Sequence, residues 1–291
     1  MTYTVAALYR FTPIPDTGAL RATLKDAFTR LEICGTLLVA SEGINGTLAA
    51  PSTQAIDEML ALLAQHTGLS RDEVKFSEAP EKPFNRLKIR LKREIITFKQ
   101  PQADVNTLCG EYVEARDWNA LIADPEVVVL DARNAYETCV GVFDRALDPN
   151  IEQFTDFASY VRENLDPTKH KKVAMYCTGG IRCEKASAFM RAEGFENVYH
   201  LKGGILKYLE EVPAEESKWQ GECYVFDRRV AVGHGLTTGR YTMCFCCGHP
   251  LAAEDRANPH YEEGVSCERC FGASSDDDKA RFRMRQKQLA A

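Results

Sequence analysis

The chain reads as a multidomain protein of mixed class: an α+β unit at the amino end, an α/β unit with a parallel sheet in the middle, and a small cysteine-rich region at the carboxyl end. Three observations predict this. Residues 1–98 run strand, helix, two strands, helix, strand. Residues 113–213 alternate short β-branched runs with helical patterns, as parallel sheets covered on both faces do. Beyond Pro213, over residues 214–291, cysteines gather into closely spaced pairs. At 291 residues, 45% hydrophobic and 27% charged, the chain can bury several cores, which excludes fibrous and disordered classes. No apolar run can span a bilayer, and Met1-Thr-Tyr-Thr-Val lacks the basic start and apolar stretch of a signal peptide, so the cytoplasm is expected and no membrane partner. Eleven cysteines in that compartment point to thiol chemistry and metal ligation rather than disulfides. A net charge of −6 gives no general pull on nucleic acid, so an RNA contact must come from local patches.

Taken in order, Tyr3 to Phe11 predicts a strand, Thr17 to Leu31 an amphipathic helix and Thr36 to Ala40 a second strand. Glu42-Gly-Ile-Asn-Gly46-Thr-Leu predicts a tight turn into a third strand. Ser52 caps a helix with apolar Ile56, Met59, Leu60 and Leu63, and strands follow at Val74 to Phe76 and Leu87 to Thr97. The order is that of a ferredoxin-like (acylphosphatase-like) unit. Its last strand alternates Arg86, Lys88, Arg90 and Lys92 with Leu87, Ile89 and Leu91, which places four cations on one face. Such a row either contacts a phosphate backbone, as an RNA-binding ribbon, or guards a solvated edge strand.

Pro101, Asp104, Gly110 and Pro125 loosen the pattern, so residues 99–112 read as a connector, with a short helix near Arg116 to Ile122 beyond it. Val127 to Asp131 is then a buried strand, Phe154 to Leu165 a helix, Val173 to Tyr176 a strand, Glu184 to Glu193 a helix, Val198 to Leu201 a strand and Gly204 to Glu210 a helix. Sites in such sheets lie at the carboxyl ends of strands. Cys177 sits at one, in Val173-Ala-Met-Tyr-Cys177-Thr-Gly-Gly-Ile-Arg182-Cys183. Here the N–H groups of Thr178, Gly179, Gly180 and Ile181, the positive end of the following helix and the Arg182 charge can converge on one sulfur and hold it as a thiolate. Cys183 follows at once, able to resolve an oxidised sulfur or simply to pack. Asp131 and Arg133 at a neighbouring strand end read as an ion pair that braces the loops. Cys34, Cys109 and Cys139 read as buried small hydrophobes.

Trp219 to Val232 predicts one strand or a strand pair leading into the last region. Cys244/Cys247 and Cys267/Cys270 form two C-x2-C pairs, and four thiolates suit tetrahedral, structural zinc. Cys246, His249 and His260 are spare candidates. The tail from Asp276 starts acidic and ends with Lys279, Arg281, Arg283, Arg285 and Lys287, a helical basic segment that either touches RNA or is solvated. No flavin, haem or nicotinamide motif is present, nor a facial triad for non-haem iron.

The six residues Cys177 to Arg182 resemble the active-site loop of rhodanese domains, where the cysteine carries a persulfide; the loop is one residue tighter than that of cysteine phosphatases, which makes phosphatase the lesser reading. Asp131-Ala-Arg133, Tyr136-Glu137, Gly141-Val-Phe143-Asp-Arg-Ala146 and Leu201-Lys-Gly203-Gly204-Ile205 are similar to that family's supporting motifs. With Glu42-Gly-Ile-Asn-Gly46-Thr47, the basic strand, Gly221-Glu-Cys-Tyr-Val-Phe-Asp-Arg-Arg-Val230 and the paired cysteines, nearly the whole chain resembles the rhodanese-type tRNA uridine hydroxylases. That resemblance implies an enzyme that makes 5-hydroxyuridine at the wobble position of tRNA, with molecular oxygen as co-substrate. Cys177 would then form an adduct with the uracil ring or carry an activated sulfur–oxygen species. The rival readings are a sulfurtransferase that hands persulfide sulfur to an acceptor and a non-catalytic RNA-binding module.

Overall fold

The computed structural model describes residues 2–290. The amino-terminal unit comprises β1 (Tyr3–Phe11), α1 (Thr17–Arg30), β2 (Cys34–Ala40), β3 (Gly43–Ala50), α2 (Thr53–Thr67), β4 (Lys75–Ala79) and β5 (Leu87–Leu91). Asp16 and Ser52 cap the two helices by accepting from the N–H groups of Ala19 and Ala55. The strands lie in the order β4-β1-β3-β2-β5, antiparallel except that β5 runs parallel to β2. Alternate residues split the two faces. Leu8, Leu37, Val39, Ile44 and Leu48 pack on the helices around Leu24, Phe28, Met59 and Leu63. The opposite face carries Val5, Ala7, Tyr9, Thr36, Leu38, Asn45, Thr47, Lys75 and Ser77, and it opens on a cavity.

Two expectations change here. Gly43 and Gly46 belong to β3, not to a turn; a side chain at Gly46 would put a Cβ 2.3 Å from the Thr36 carbonyl oxygen. The last strand stops at Leu91 instead of Thr97, because beyond it the chain leaves the sheet: Glu94 meets Lys185 of the next domain and the Ile95 N–H turns to Glu42.

The central domain contains α3 (Val105–Leu108), β6 (Glu111–Val113), α4 (Ala115–Ala123), β7 (Val127–Asp131), α5 (Ala135–Thr138), β8 (Gly141–Phe143), α6 (Phe157–Asn164), β9 (Lys172–Tyr176), α7 (Ile181–Ala192), β10 (Asn197–Leu201) and α8 (Gly204–Glu211). Its sheet, ordered β6-β10-β9-β7, is parallel throughout. β6 begins within the stretch read as a connector: three residues pairing on one edge are too few to show alternation, and Gly110 directly before them looked like loop. On one side of the sheet Phe98, Phe154, Phe157 and Phe189 cluster; on the other, Trp118, Phe143, Tyr208 and Trp219 do. The chain closes with β11 (Trp219–Gly221) against β8, the pair β12 (Cys223–Tyr224) and β13 (Ala231–Val232), β14 (Thr242–Met243) with β15 (Pro250–Leu251), α9 (Glu268–Phe271) and α10 (Asp276–Ala290). No described helix is long and apolar enough to cross a membrane.

Helix α7 docks the two larger units. Every residue from Ile181 to Met190 is buried, though Arg182, Glu184, Lys185 and Ser187 are polar. Burial of charge is tolerable only with partners. Lys185 Nζ donates to Glu42 Oε1 at 2.9 Å, Glu94 Oε2 at 2.7 Å and the Ile96 carbonyl at 3.1 Å. Glu42 also accepts from the Ile95 N–H at 2.7 Å. Glu184 accepts from Tyr9 on β1 at 2.8 Å and from Tyr112 on β6 at 2.7 Å.

Candidate active site

Cys177 lies at the carboxyl end of β9, where a strand, a tight loop and the first turn of α7 meet, and it is completely buried within the protein. The Gly180 N–H reaches its sulfur at 3.2 Å. Burial alone would raise the thiol's pKa, but the Cys183 thiol, the Arg182 charge and the N–H groups of Cys183 and Arg182 outweigh it and bring Cys177 down to about 6. Cys183 moves the opposite way: burial and the adjoining Cys177 sulfur push its pKa well up, so it stays a thiol. The loop is held from behind by Ile205 N–H on the Cys177 carbonyl at 3.0 Å and Leu206 N–H on the Thr178 carbonyl at 3.1 Å. That contact needs glycine at 204, whose φ is +68° and where a Cβ would sit 2.5 Å from the Cys177 carbonyl oxygen.

Arg182 is not a free cation. Its guanidinium forks onto Glu137 of α5, at 2.5 and 2.7 Å, and reaches the Thr178 hydroxyl at 3.3 Å. Glu137 is fully enclosed; burial works to raise its pKa, yet the Arg182 charge wins and holds the carboxyl below its ordinary range. Arg133 in turn forks onto Asp131 at 2.9 and 2.6 Å and donates to the carbonyls of Glu137 at 3.1 Å and Gly141 at 2.6 Å. Thus Asp131 and Arg133 fix the backbone that carries Glu137, Glu137 fixes Arg182, and Arg182 tunes the sulfur. Sequence reading overlooked Glu137 as a site residue; the signal was there, in a glutamate three residues after Asn134 in a capping box.

The loop that carries Cys177 borders a cavity of about 440 Å³ with three walls. One is the Cys177 loop, the second the open face of the amino-terminal sheet, and the third a strap containing Val225, Phe226, Asp227 and Arg229. Arg229 pairs with Asp227 at 2.9 and 2.6 Å and pins the strap to β4 through the Ser77 hydroxyl at 2.7 Å and the Glu78 carbonyl at 3.2 Å. Phe226 stands half-exposed at the rim with Tyr224 edge-on at 5.3 Å. Lys75 also faces the cavity; sequence gave no sign of it, since a lone lysine in a short strand looks solvated.

Pairing of Thr36 with Lys88 and Leu38 with Arg90 places those two cations on the sheet face that lines the cavity. Arg86, Arg90 and Lys92 are exposed and Lys88 half-buried. The tail differs: Arg283 binds Glu262 at 2.5 Å, Arg281 binds Asp278 at 2.6 Å, Arg285 donates to the Gly264 carbonyl at 3.0 Å and Lys279 stacks on Phe271. Among the other thiols, Cys34 is buried as expected, whereas Cys139 is exposed and half-buried Cys109 donates to Glu184 at 3.0 Å. Cys109, Glu184 and His200 form a compact cluster, but Glu184 already accepts from Tyr9, Tyr112 and Cys109 there.

The four paired cysteines converge. Cys244 and Cys270 are 3.8 Å apart, Cys247 and Cys267 3.7 Å, Cys267 and Cys270 3.8 Å. A tetrahedron with metal–sulfur bonds of about 2.3 Å has sulfur–sulfur edges of about 3.8 Å, so the set can hold a metal ion. His260 stacks on Phe271 and binds Glu268, and Cys246 lies against Ser274, which leaves both outside the set.

A family model described as UPF0176 acylphosphatase like domain matches residues 3–95, and one described as Rhodanese-like domain matches residues 114–211. A Deinococcus radiodurans protein named tRNA uridine(34) hydroxylase is 54% identical over 289 residues, which cover 99% of this chain and 95% of that one. Among solved structures, a rhodanese-like domain from Anabaena sp. is 22% identical over 38% of this chain and 78% of its own, with a TM-score of 0.32. An acylphosphatase from Bacillus subtilis is 14% identical over 31% of this chain and 97% of its own, with a TM-score of 0.22. With more than half its residues shared along almost its entire length, the chain belongs to the tRNA uridine(34) hydroxylase family.

Proposed function

We propose that this protein converts the wobble uridine of tRNA to 5-hydroxyuridine in a reaction that depends on molecular oxygen, with the Cys177 thiolate as its reactive centre. The observation that carries the reading is the roofed cavity: the loop holding a low-pKa sulfur borders a space of about 440 Å³, the size class of small-molecule sites, walled by a second domain and a strap. An anticodon loop presents unstacked bases, so one can be inserted at modest cost. Half-exposed Phe226 offers a ring for a splayed base at the entrance. Lys88 and Arg90 continue the same sheet face, Arg86 and Lys92 flank the strand at either end, and the row suits the phosphates of the loop.

In this scheme the loop Thr178-Gly179-Gly180-Ile181 and Arg182 stabilise negative charge at Cys177 or at the group bound there. Cys183 supplies a proton-bearing thiol beside it, positioned to resolve an oxidised sulfur, and Asp131 and Arg133 act at one remove through Glu137. The domain of residues 1–98 carries RNA contact, that of residues 113–213, extended by β6, carries the thiolate, and the region of residues 214–291 supplies the strap. Zinc held by Cys244, Cys247, Cys267 and Cys270 would be structural, tying α9 to the β14–β15 turn away from the cavity.

The deciding experiment is nucleoside mass spectrometry of tRNA from cells that lack the gene, complemented with wild type or Cys177→Ser. Wild type should restore 5-hydroxyuridine and the serine variant should not; full restoration by the serine variant would end the reading. The loop's sulfur-sized cradle equally favours persulfide transfer as a second reading. That would show as high thiosulfate activity together with unchanged hydroxyuridine on deletion.

A further inference from the structure

Three cations line the cavity, and two are spoken for: Arg182 is forked onto Glu137 and Arg229 onto Asp227. The third, Lys75 of β4, is only 7% exposed. An ammonium has three N–H donors. Among the described residues its Nζ has one hydrogen-bond partner, the Glu73 carbonyl at 2.8 Å, and otherwise stands 4.9 Å from the centre of the Tyr9 ring. Burial pulls its pKa down to about 8, opposed by the charges of Cys177, Glu73 and Glu184, with Lys207 acting in the same sense as burial; it therefore remains mainly a cation at neutral pH. A buried, incompletely satisfied ammonium is costly unless something else uses its donors. The cavity wall is largely apolar, with Ala7 directly across from Lys75 and Val5 next along the neighbouring strand of the same sheet face, so its site suits a flat base rather than a phosphate.

Resting on the hydroxylase reading, we propose that Lys75 receives the C4 carbonyl of the inserted base and thereby selects uracil over cytosine. Uracil presents an acceptor at that position, whereas cytosine presents an amino donor. Lysine has no acceptor to offer an amino group, so cytosine would leave two sets of donors facing each other in a buried site. The same contact serves the chemistry. When the Cys177 thiolate adds to C6, the S–C6 bond forms, the C5=C6 π pair shifts through C4, and the thiolate's negative charge arrives on O4. No oxidant enters that step, and Lys75 faces the oxygen that becomes charged.

The test pairs binding with turnover in the full-length protein. Anticodon stem-loops that differ only in uridine or cytidine at the wobble position are titrated against wild type, Lys75→Met and Lys75→Gln, and each variant is used to complement the deletion strain. Wild type should prefer the uridine loop by about tenfold or more. Lys75→Met should bring the two affinities within about twofold, by weakening uridine, and cut 5-hydroxyuridine at least about tenfold. Lys75→Gln, which carries a donor and an acceptor on a similar stem, should bind both loops and lose the preference. Melting temperatures at or above wild type would show that loss of the buried charge left the fold intact. Unchanged preference and unchanged hydroxyuridine in either variant would overturn the proposal, as would a wild type that does not distinguish the loops. A wild type that restores no hydroxyuridine at all would retire the hydroxylase reading and this inference with it, whereas a defect confined to the variants supports both.

Discussion

Replacing Glu137 by glutamine tests the support beneath the sulfur most directly. The Glu137 side chain is 0% exposed and that of Arg182 6%, so the variant leaves a guanidinium in the interior without its counter-charge. Removal of one partner from a buried ion pair costs about 3–5 kcal/mol, against about 1 kcal/mol or less for a surface pair. Arg182→Met strands the carboxylate instead and should cost a similar amount. The double variant Glu137→Gln/Arg182→Met buries neither charge, so its cost should fall short of the sum of the single costs by about 3 kcal/mol. Urea unfolding followed by intrinsic fluorescence reports on the right domain, because the protein's two tryptophans, Trp118 and Trp219, are both buried in the core beneath the site. The sulfur gives a second readout. Glu137→Gln removes a negative charge from its surroundings and should speed alkylation of Cys177 below pH 6, whereas Arg182→Met should slow it near neutrality. Single costs below about 1 kcal/mol, or a double variant that is simply additive, would refute the claim that Glu137 holds Arg182.

Four further outcomes follow from the geometry. Iodoacetamide should label Cys177 with half-maximal rate near pH 6, far below an ordinary thiol, as seen by mass spectrometry of the labelled peptide; a midpoint above pH 8 would contradict the thiolate. Because the folded pKa is depressed, the group's contribution to stability is present above its unfolded pKa of 9.0 and is lost as pH falls through 6, so Cys177→Ser should flatten the pH dependence of unfolding in that window. Reversing Arg86, Lys88 and Arg90 to glutamate should weaken binding of an anticodon stem-loop and reduce the slope of log affinity against log salt by about 2, at about 0.7 per lost phosphate contact. Labelling of Cys177 should be unaffected by that change, and an unaltered slope would remove the basic row from RNA binding. Full-length protein should bind one zinc per chain by elemental analysis, and Cys267→Ser should abolish the stoichiometric metal and loosen α9 to proteolysis; a metal-free wild type that resists proteolysis would argue against a structural ion.

The parts legible in the sequence were those whose rule is local. Cys177 at a strand end before two glycines, the alternation of the parallel strands and the C-x2-C spacing all depend on neighbours along the chain. What escaped was decided by another domain. Glu184 and Lys185 look like a solvated helix face, yet both are buried, because Tyr9, Glu42 and Glu94 arrive from the amino-terminal unit to satisfy them. Lys75 escaped for the same reason: a strand position is buried only if something covers its face. The partner of Arg182 escaped as well, since the pairing spans 45 positions and no spacing rule foretells it.

The strap has one more consequence, for synthesis. Arg229 meets Ser77 across 152 positions of chain, so the cavity's third wall is made last as the protein leaves the ribosome. Until then Cys177 has its activating loop but lacks its complete enclosure, and a nascent or truncated chain would present a reactive sulfur to any small oxidant. Formation of the Arg229 contact therefore ends the interval in which the sulfur lacks its third wall.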